Sequence, residues 1–353
     1  MTRDELLDRI RHGTPVMNLD CKGWDFNGID LSGAIFERVN LSGASLVGAR
    51  MEDSQLVHCQ LAQADLSGAV LNDTRFHRCN LSQARLPEAQ LERTVFAEVA
   101  LPQAQLAGAH LVRTAFHQCD LGDTDWRVGH CEHVALVESR LERTDCRGVA
   151  MRSTVFMKVD LRSAHLAGVA GESTMFVECD FSGQRLAGQH FERCQFVDNR
   201  MDGVDLSGAV LTQSLFTGAS LCKANLSGAQ AMHAVFSEAD LRDAVCVSAR
   251  LERSIWAEAK LQAADFSDAV LTLGAFHQAQ CRGTRFARAQ LQDADFSFAD
   301  LSQADLRGAS FLRTRMHGAT QNEARFSART GIIENDPQAQ KAQAWSAARR
   351  RGP

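Results

Sequence analysis

The chain has 353 residues, of which 45% are hydrophobic, so it can bury a large core. Its 43 acidic and 38 basic residues leave a net charge of −5, too mild an imbalance to predict a nucleic-acid partner or an anionic membrane surface. No run of 18 apolar residues occurs, so no membrane-spanning helix is expected, and eleven cysteines in a chain that opens without a signal-peptide core argue against a disulfide framework.

The N-terminus, MTRDELLDRIRHG, predicts a helix over about residues 3–12. Thr2 and Glu5 form a capping box, Leu6, Leu7 and Ile10 share one face, and Gly13 and Pro15 stop the run. Residues 1–15 are therefore read as a helical cap.

From residue 16 the sequence repeats every five residues. Large apolar side chains recur from Phe26 to Met316 without insertion or deletion, at 57 of 59 central positions; the exceptions are Gly171 and Ala231. Two residues before the centre the side chain is small at 54 of 59 positions. A period of five fits neither a helix nor a coiled coil. Small-in and large-in alternation makes a very short extended side, and the remaining residues must turn the chain. Short sides joined by corners give a stacked solenoid. The column from Phe36 to Met316, sampled every 20 residues, holds 12 aromatics in 15 places, so four pentapeptides make one coil. The expected fold is an all-β solenoid, a quadrilateral β-helix of about 15 four-sided coils over residues 16–326.

Ala64-Asp65-Leu66-Ser67-Gly68, Ala224-Asn225-Leu226-Ser227-Gly228 and Ala304-Asp305-Leu306-Arg307-Gly308 match the A(D/N)LxG signature. In these runs the chain resembles the pentapeptide-repeat family, which implies a right-handed quadrilateral β-helix. It implies no single function, because the fold hosts many.

Residues 327–353 are read as a C-terminal tail or short helix. Asp336-Pro337 is a helix start, and Trp345 is the one large apolar residue of the segment that follows, with Arg349, Arg350 and Arg351 nearby. A frayed tail and a partner-docking helix both remain open.

The repeat register assigns directions. The centre and the small residue two before it face inward; the other three face out. Ten cysteines fall on inward positions and act as small hydrophobes, and only Cys222 faces out. In Gly129-His130-Cys131-Glu132-His133 the register places Gly129 and Cys131 inside and both imidazoles outside, so thiol and imidazoles cannot share a metal. Asp and Asn residues before the centres, such as Asp65, Asp120 and Asp205, are expected to cap turns rather than catalyse. Gly171, Gln184, Gln189 and Asn199 mark an irregularity, read either as a bulge or stacked amide or as a kink that shapes a surface. No enzyme activity, metal or cofactor is expected.

The candidate partner surface lies on the aromatic face. There the residue before the centre is apolar in most coils, including Val95, Val155, Met175, Leu215, Val235 and Ile255, whereas on the Asx-rich faces it is polar. An interface and the plain preference of β-branched residues for outward strand sites both fit this row. The functional expectation is a non-catalytic protein–protein interaction scaffold or adaptor in the bacterial cytoplasm. Self-association through the row or through the Trp345, Arg349 and Arg350 tail is a further expectation. The opening MTRDELL, leading straight into pentapeptides, resembles pentapeptide-repeat proteins of bacterial type VI secretion clusters, which implies spike or effector proteins as partners. Two alternatives stand beside it: a DNA mimic that binds a type II topoisomerase, as in quinolone-resistance pentapeptide proteins, and a secreted effector using the repeat as a targeting surface. Arg75, Arg85, Arg140, Arg185 and Arg200 interrupt the acidic columns that a DNA mimic would need.

Overall fold

The computed structural model describes residues 2–335. Among the described residues the chain forms a parallel β-solenoid of about 16 turns with one short N-terminal helix, and these residues divide into two compact units, 2–180 and 181–335. One turn more than the expected 15 arises because a first strand, Val16–Met17, already pairs with Phe36–Glu37, ahead of the first counted centre.

In the first unit, helix α1 spans Arg3–Arg11. Thr2 accepts a hydrogen bond from the Glu5 amide, and its own amide donates to the Glu5 carboxylate at 2.8 Å, completing the predicted capping box. Leu6 and Ile10 are buried, and Gly13, at φ +64°, takes the left-handed turn that ends the helix. The Arg3 guanidinium donates to the Asp25 carbonyl, holding the helix against the second pentapeptides of the coil.

On the aromatic face of this unit the sides are true strands. Ile35–Glu37, Gln55–Val57, Arg75–His77, Val95–Ala97, Ala115–His117, Ala135–Val137, Val155–Met157 and Met175–Val177 pair in parallel at a constant step of 20 residues. His110–Val112, His130–Glu132, Ala150–Arg152 and Ala170–Glu172 form a second such row. Gly171 pairs with Met151 in unbroken register, so the missing side chain produces no bulge there.

Two kinds of corner recur. Where alanine follows the centre by three residues, its amide bonds back to the centre's carbonyl, as from Ala64 to Leu61 and from Ala69 to Leu66, both at 3.0 Å, and the side closes in a tight turn. On the aromatic face of the first unit that place holds larger residues, including Cys59, Cys79, Cys119 and Ser139. There the centre's carbonyl is met from the next coil instead: the Cys79 thiol lies 3.2 Å from the Leu56 carbonyl and the Cys119 thiol 3.3 Å from that of Phe96. The inward cysteines are buried as predicted, and they also serve as weak donors. Buried threonines repeat the device more strongly: Thr74, Thr94 and Thr114 donate to the carbonyls of Met51, Leu71 and Leu91 at 2.6–2.8 Å.

Outside, the Asx residues cap turns. Asp20, Asn40, Asp65 and Asp120 each accept the amide two residues on, at 3.0–3.1 Å. One position departs from the expected register. Gly129 is exposed, not inward, and Val128 is buried in its stead, with its amide bonded to the Trp126 carbonyl at 2.7 Å. Val128 falls at the corner position that the chain elsewhere sets at positive φ, for example His133 and Gln118. A β-branched side chain resists that conformation, so the corner rearranges and carries Val128 inward.

In the second unit the short strands His190–Glu192 and Gln195–Val197 come first, and beyond them, up to residue 304, the sides are tight turns linked by single parallel bridges at the same 20-residue step. Here the aromatic face has Ala219, Ala239 and Ala259 after its centres, and their amides return to Phe216, Phe236 and Trp256. The rings stack nearly parallel: Phe216–Phe236 at 4.9 Å and Phe236–Trp256 at 4.2 Å. Gln184 is half-buried and Asn199 is buried; Gln189 donates to the Arg185 carbonyl at 3.4 Å. The last turn is shorter: Ile332–Ile333 pairs with Thr314–Arg315, a step of 18 residues. Arg329 lies over the Phe326 ring at 4.1 Å.

Candidate interaction surface

The outward apolar row of the aromatic face is continuous over part of each unit. In the first unit it runs Val95, Ala115, Ala135, Val155, Met175, each paired with the next across adjacent strands. On its last coils the residues after the centres are also apolar. Ala135, Val137, Val155, Met157, Met175 and Val177 therefore form one patch on three neighbouring strands, every member half-buried. In the second unit Leu215, Val235, Ile255 and Ala275 are bridged in sequence, and Ile255 is 40% exposed. The structure thus brings Val95, Val155 and Met175 into one row and Leu215, Val235 and Ile255 into another. Trp345, Arg349 and Arg350 lie outside the described residues.

The rims are charged. In the first unit the corner after the aromatic face carries ion pairs between coils: Arg78 donates to Glu98 at 2.8 Å, and Lys158 stands 3.5 Å from Glu138. The Arg78 hydrogen bond lowers the Glu98 pKa, and the Gln118 amide, followed by Lys158, lowers that of Glu138. In the second unit the same corner holds Glu238 and Glu258 on consecutive coils, with no salt-bridging or hydrogen-bonding partner for either carboxylate among the described residues. The reading of outward rows from the sequence missed these two, although the loss of Arg78- and Lys158-like residues from that column is visible in it.

In the GHCEH stretch Gly129 departs from the register, while His130–Glu132 forms an ordinary side. Cys131 is buried, 3.7 Å from the Thr154 hydroxyl, and burial pushes its pKa up to about 11. Outside, His130 and His133 both turn to Glu132, at 3.1 and 3.7 Å, and His110 pairs with His130 in register. No group of three His, Cys, Asp or Glu side chains is arranged to hold a metal among the described residues. No helix among them is long and apolar enough to cross a membrane. Other thiols are similarly quiet: burial raises Cys119 and Cys179 to about 11.

Four-sided parallel coils with capped corners define a β-solenoid of the repeat class. Family models described as "Pentapeptide repeat region" and "Pentapeptide repeats (8 copies)" match residues 69–146 and residues 18–53, 176–213, 211–245, 275–311 and 289–327, together more than half of the chain. The chain belongs to the pentapeptide-repeat family. Among solved structures it is similar to a pentapeptide-repeat protein of the Arabidopsis thaliana thylakoid lumen, at 28% identity over 28% of this chain and 69% of that one, with a TM-score of 0.27. It is also similar to QnrB1, a plasmid-mediated fluoroquinolone resistance protein, at 18% identity over 61% and 97% of the two chains, with a TM-score of 0.37. A third is HetL, a pentapeptide-repeat protein involved in heterocyst differentiation regulation in the cyanobacterium Nostoc sp. strain PCC 7120, at 20% identity over 95% and 98%, with a TM-score of 0.13. No curated protein matches the sequence.

Proposed function

We propose that the chain is a non-catalytic interaction scaffold that binds protein partners along the apolar rows of its aromatic face. The observation that carries this reading is the patch Ala135, Val137, Val155, Met157, Met175 and Val177, where three paired strands present only apolar side chains outward. On the Asx-rich faces the equivalent places are filled by turn-capping carboxylates and amides. A bacterial cytoplasmic role as an accessory of type VI secretion, loading effector or spike proteins, is the finer form of the proposal. Its support is the N-terminal MTRDELL segment. Against the DNA-mimic alternative, arginines sit within the acidic columns and face their acids: Arg85 lies 3.7 Å from Asp65, Arg140 3.7 Å from Asp120 and Arg285 3.5 Å from Asp265. A surface neutralised in this way lacks the continuous negative charge of a DNA backbone. Val155→Asp with Met175→Asp should remove partner capture by the purified full chain while leaving its circular dichroism unchanged. Undiminished binding and self-association in that variant would end the interface reading.

A further inference from the structure

In the second unit the corner acids Glu238 and Glu258 have no ion-pair or hydrogen-bond partner among the described residues. Glu238 and Glu258 occupy equivalent places one coil apart, fixed by amide bonds to the Ala257 and His277 carbonyls, and both corners are left-handed, at φ +60°. Like charges held this close across adjacent sides repel. Lys260, beyond the corner, faces Asp240 at 3.9 Å. Glu238 and Glu258 line an open depression of about 420 Å³ together with Lys260, Gln278 and Gln280. On the other side stand Val235 and Ile255, and only the small side chains of Ser237 and Ala257 lie between that apolar row and the acids. The feature is an apolar row, Leu215, Val235 and Ile255, flanked along one edge by two acids.

We propose that this acid-edged apolar row takes an amphipathic α-helix with lysine or arginine along one edge, laid parallel to the row. The proposal rests on the interaction-surface reading and specifies its partner's chemistry. The basic edge follows from charge complementarity, because Lys and Arg can lay their aliphatic stems on Val235 and Ile255 while their heads reach the two carboxylates. Spacing selects the helix. Coils of a solenoid recur at about 4.8 Å and helix turns at about 5.4 Å, so successive apolar residues stay in step with Leu215, Val235 and Ile255. An extended segment presents same-side residues only every ~6.6 Å and falls out of step within two coils.

The test uses the full chain and a synthetic helix of about 18 residues, with leucines at i, i+4, i+7 and i+11 and lysines along one edge, measured by fluorescence anisotropy. Binding is expected, and Glu238→Lys with Glu258→Lys should weaken it about tenfold while creating affinity for the same helix with a glutamate edge. Glu238→Gln with Glu258→Gln, a milder change at two surface corners, should weaken the lysine helix without admitting the glutamate one. Ile255→Asp should abolish binding of both. If the charge variants bind the lysine helix as the wild type does while Ile255→Asp still abolishes it, the basic-edge inference fails and the apolar surface stands. If Ile255→Asp is neutral too, both fall. Equal binding of a proline-interrupted peptide of the same composition would overturn the helix.

Discussion

At the scale of single residues, the interior is held by donors that were read only as small side chains. Thr114 is 1% exposed and donates to the Leu91 carbonyl at 2.6 Å. Thr114→Val keeps the shape and removes the donor, so it should cost about 1–2 kcal/mol, read as a lower urea midpoint at unchanged slope. Gly129 shows a different constraint. A Cβ there would meet the Gly108 carbonyl oxygen at 2.9 Å, which is backbone and cannot swing aside. Gly129→Ala should therefore destabilise by about 1–3 kcal/mol, whereas an outward glycine in open space, Gly43, is limited only by its positive φ. Inward and outward assignments were legible from the register almost throughout. At Val128 and Gly129 they were not, because periodicity carries no information about a β-branched residue meeting a left-handed corner. The hydroxyl and thiol donors were also hidden: their acceptors lie 23 residues back, on the preceding coil.

At the scale of the element, a recurring corner joins an aspartate before the centre to an arginine after it. Arg147 binds Asp145 through two hydrogen bonds of 2.8 and 2.7 Å, and Arg307 binds Asp305 at 2.9 and 2.7 Å. These bonds hold both carboxyls down at about 2. Because the folded value lies below the unfolded one, near 3.9, the stabilisation is complete above about pH 4 and is lost as pH falls through about 2. Carboxyl chemical shifts should place both titrations near pH 2, and Arg147→Gln should move that of Asp145 upward and reduce the stability lost between pH 4 and pH 2. In the aromatic column of the second unit, Phe236 is sandwiched between Phe216 and Trp256. Phe236→Ala opens a cavity in a fully buried stack and should cost about 3–5 kcal/mol by chemical denaturation. The 20-residue aromatic period announced this column in advance. Which sides become strands and which tight turns was not announced, because the identity of the small residue does not fix it: Ser54 and Ser214 close tight turns, whereas Ser139 follows a strand.

At the scale of the whole molecule, an unbroken five-residue register yields a parallel solenoid of about 16 turns, and fold and family follow from it. Partner choice depends instead on the few outward columns that depart from a solvated default. The apolar rows could be read from the sequence, since they share the phase of the aromatic column. Their rims were legible only as a column that loses its basic residues; the pairing of Glu98 and Glu138 and the isolation of Glu238 and Glu258 are side-chain contacts that the repeat pattern does not specify. The most direct test of the scaffold proposal is site-specific photo-crosslinking in the native cell, with the reactive residue placed in turn at Val155, Ile255, Ser67 and Ser227. The proposal predicts discrete crosslinked partners at Val155 and Ile255 and none at Ser67 and Ser227 on the Asx-rich face. Crosslinks confined to the Asx-rich face, or spread evenly over all four positions, would contradict it.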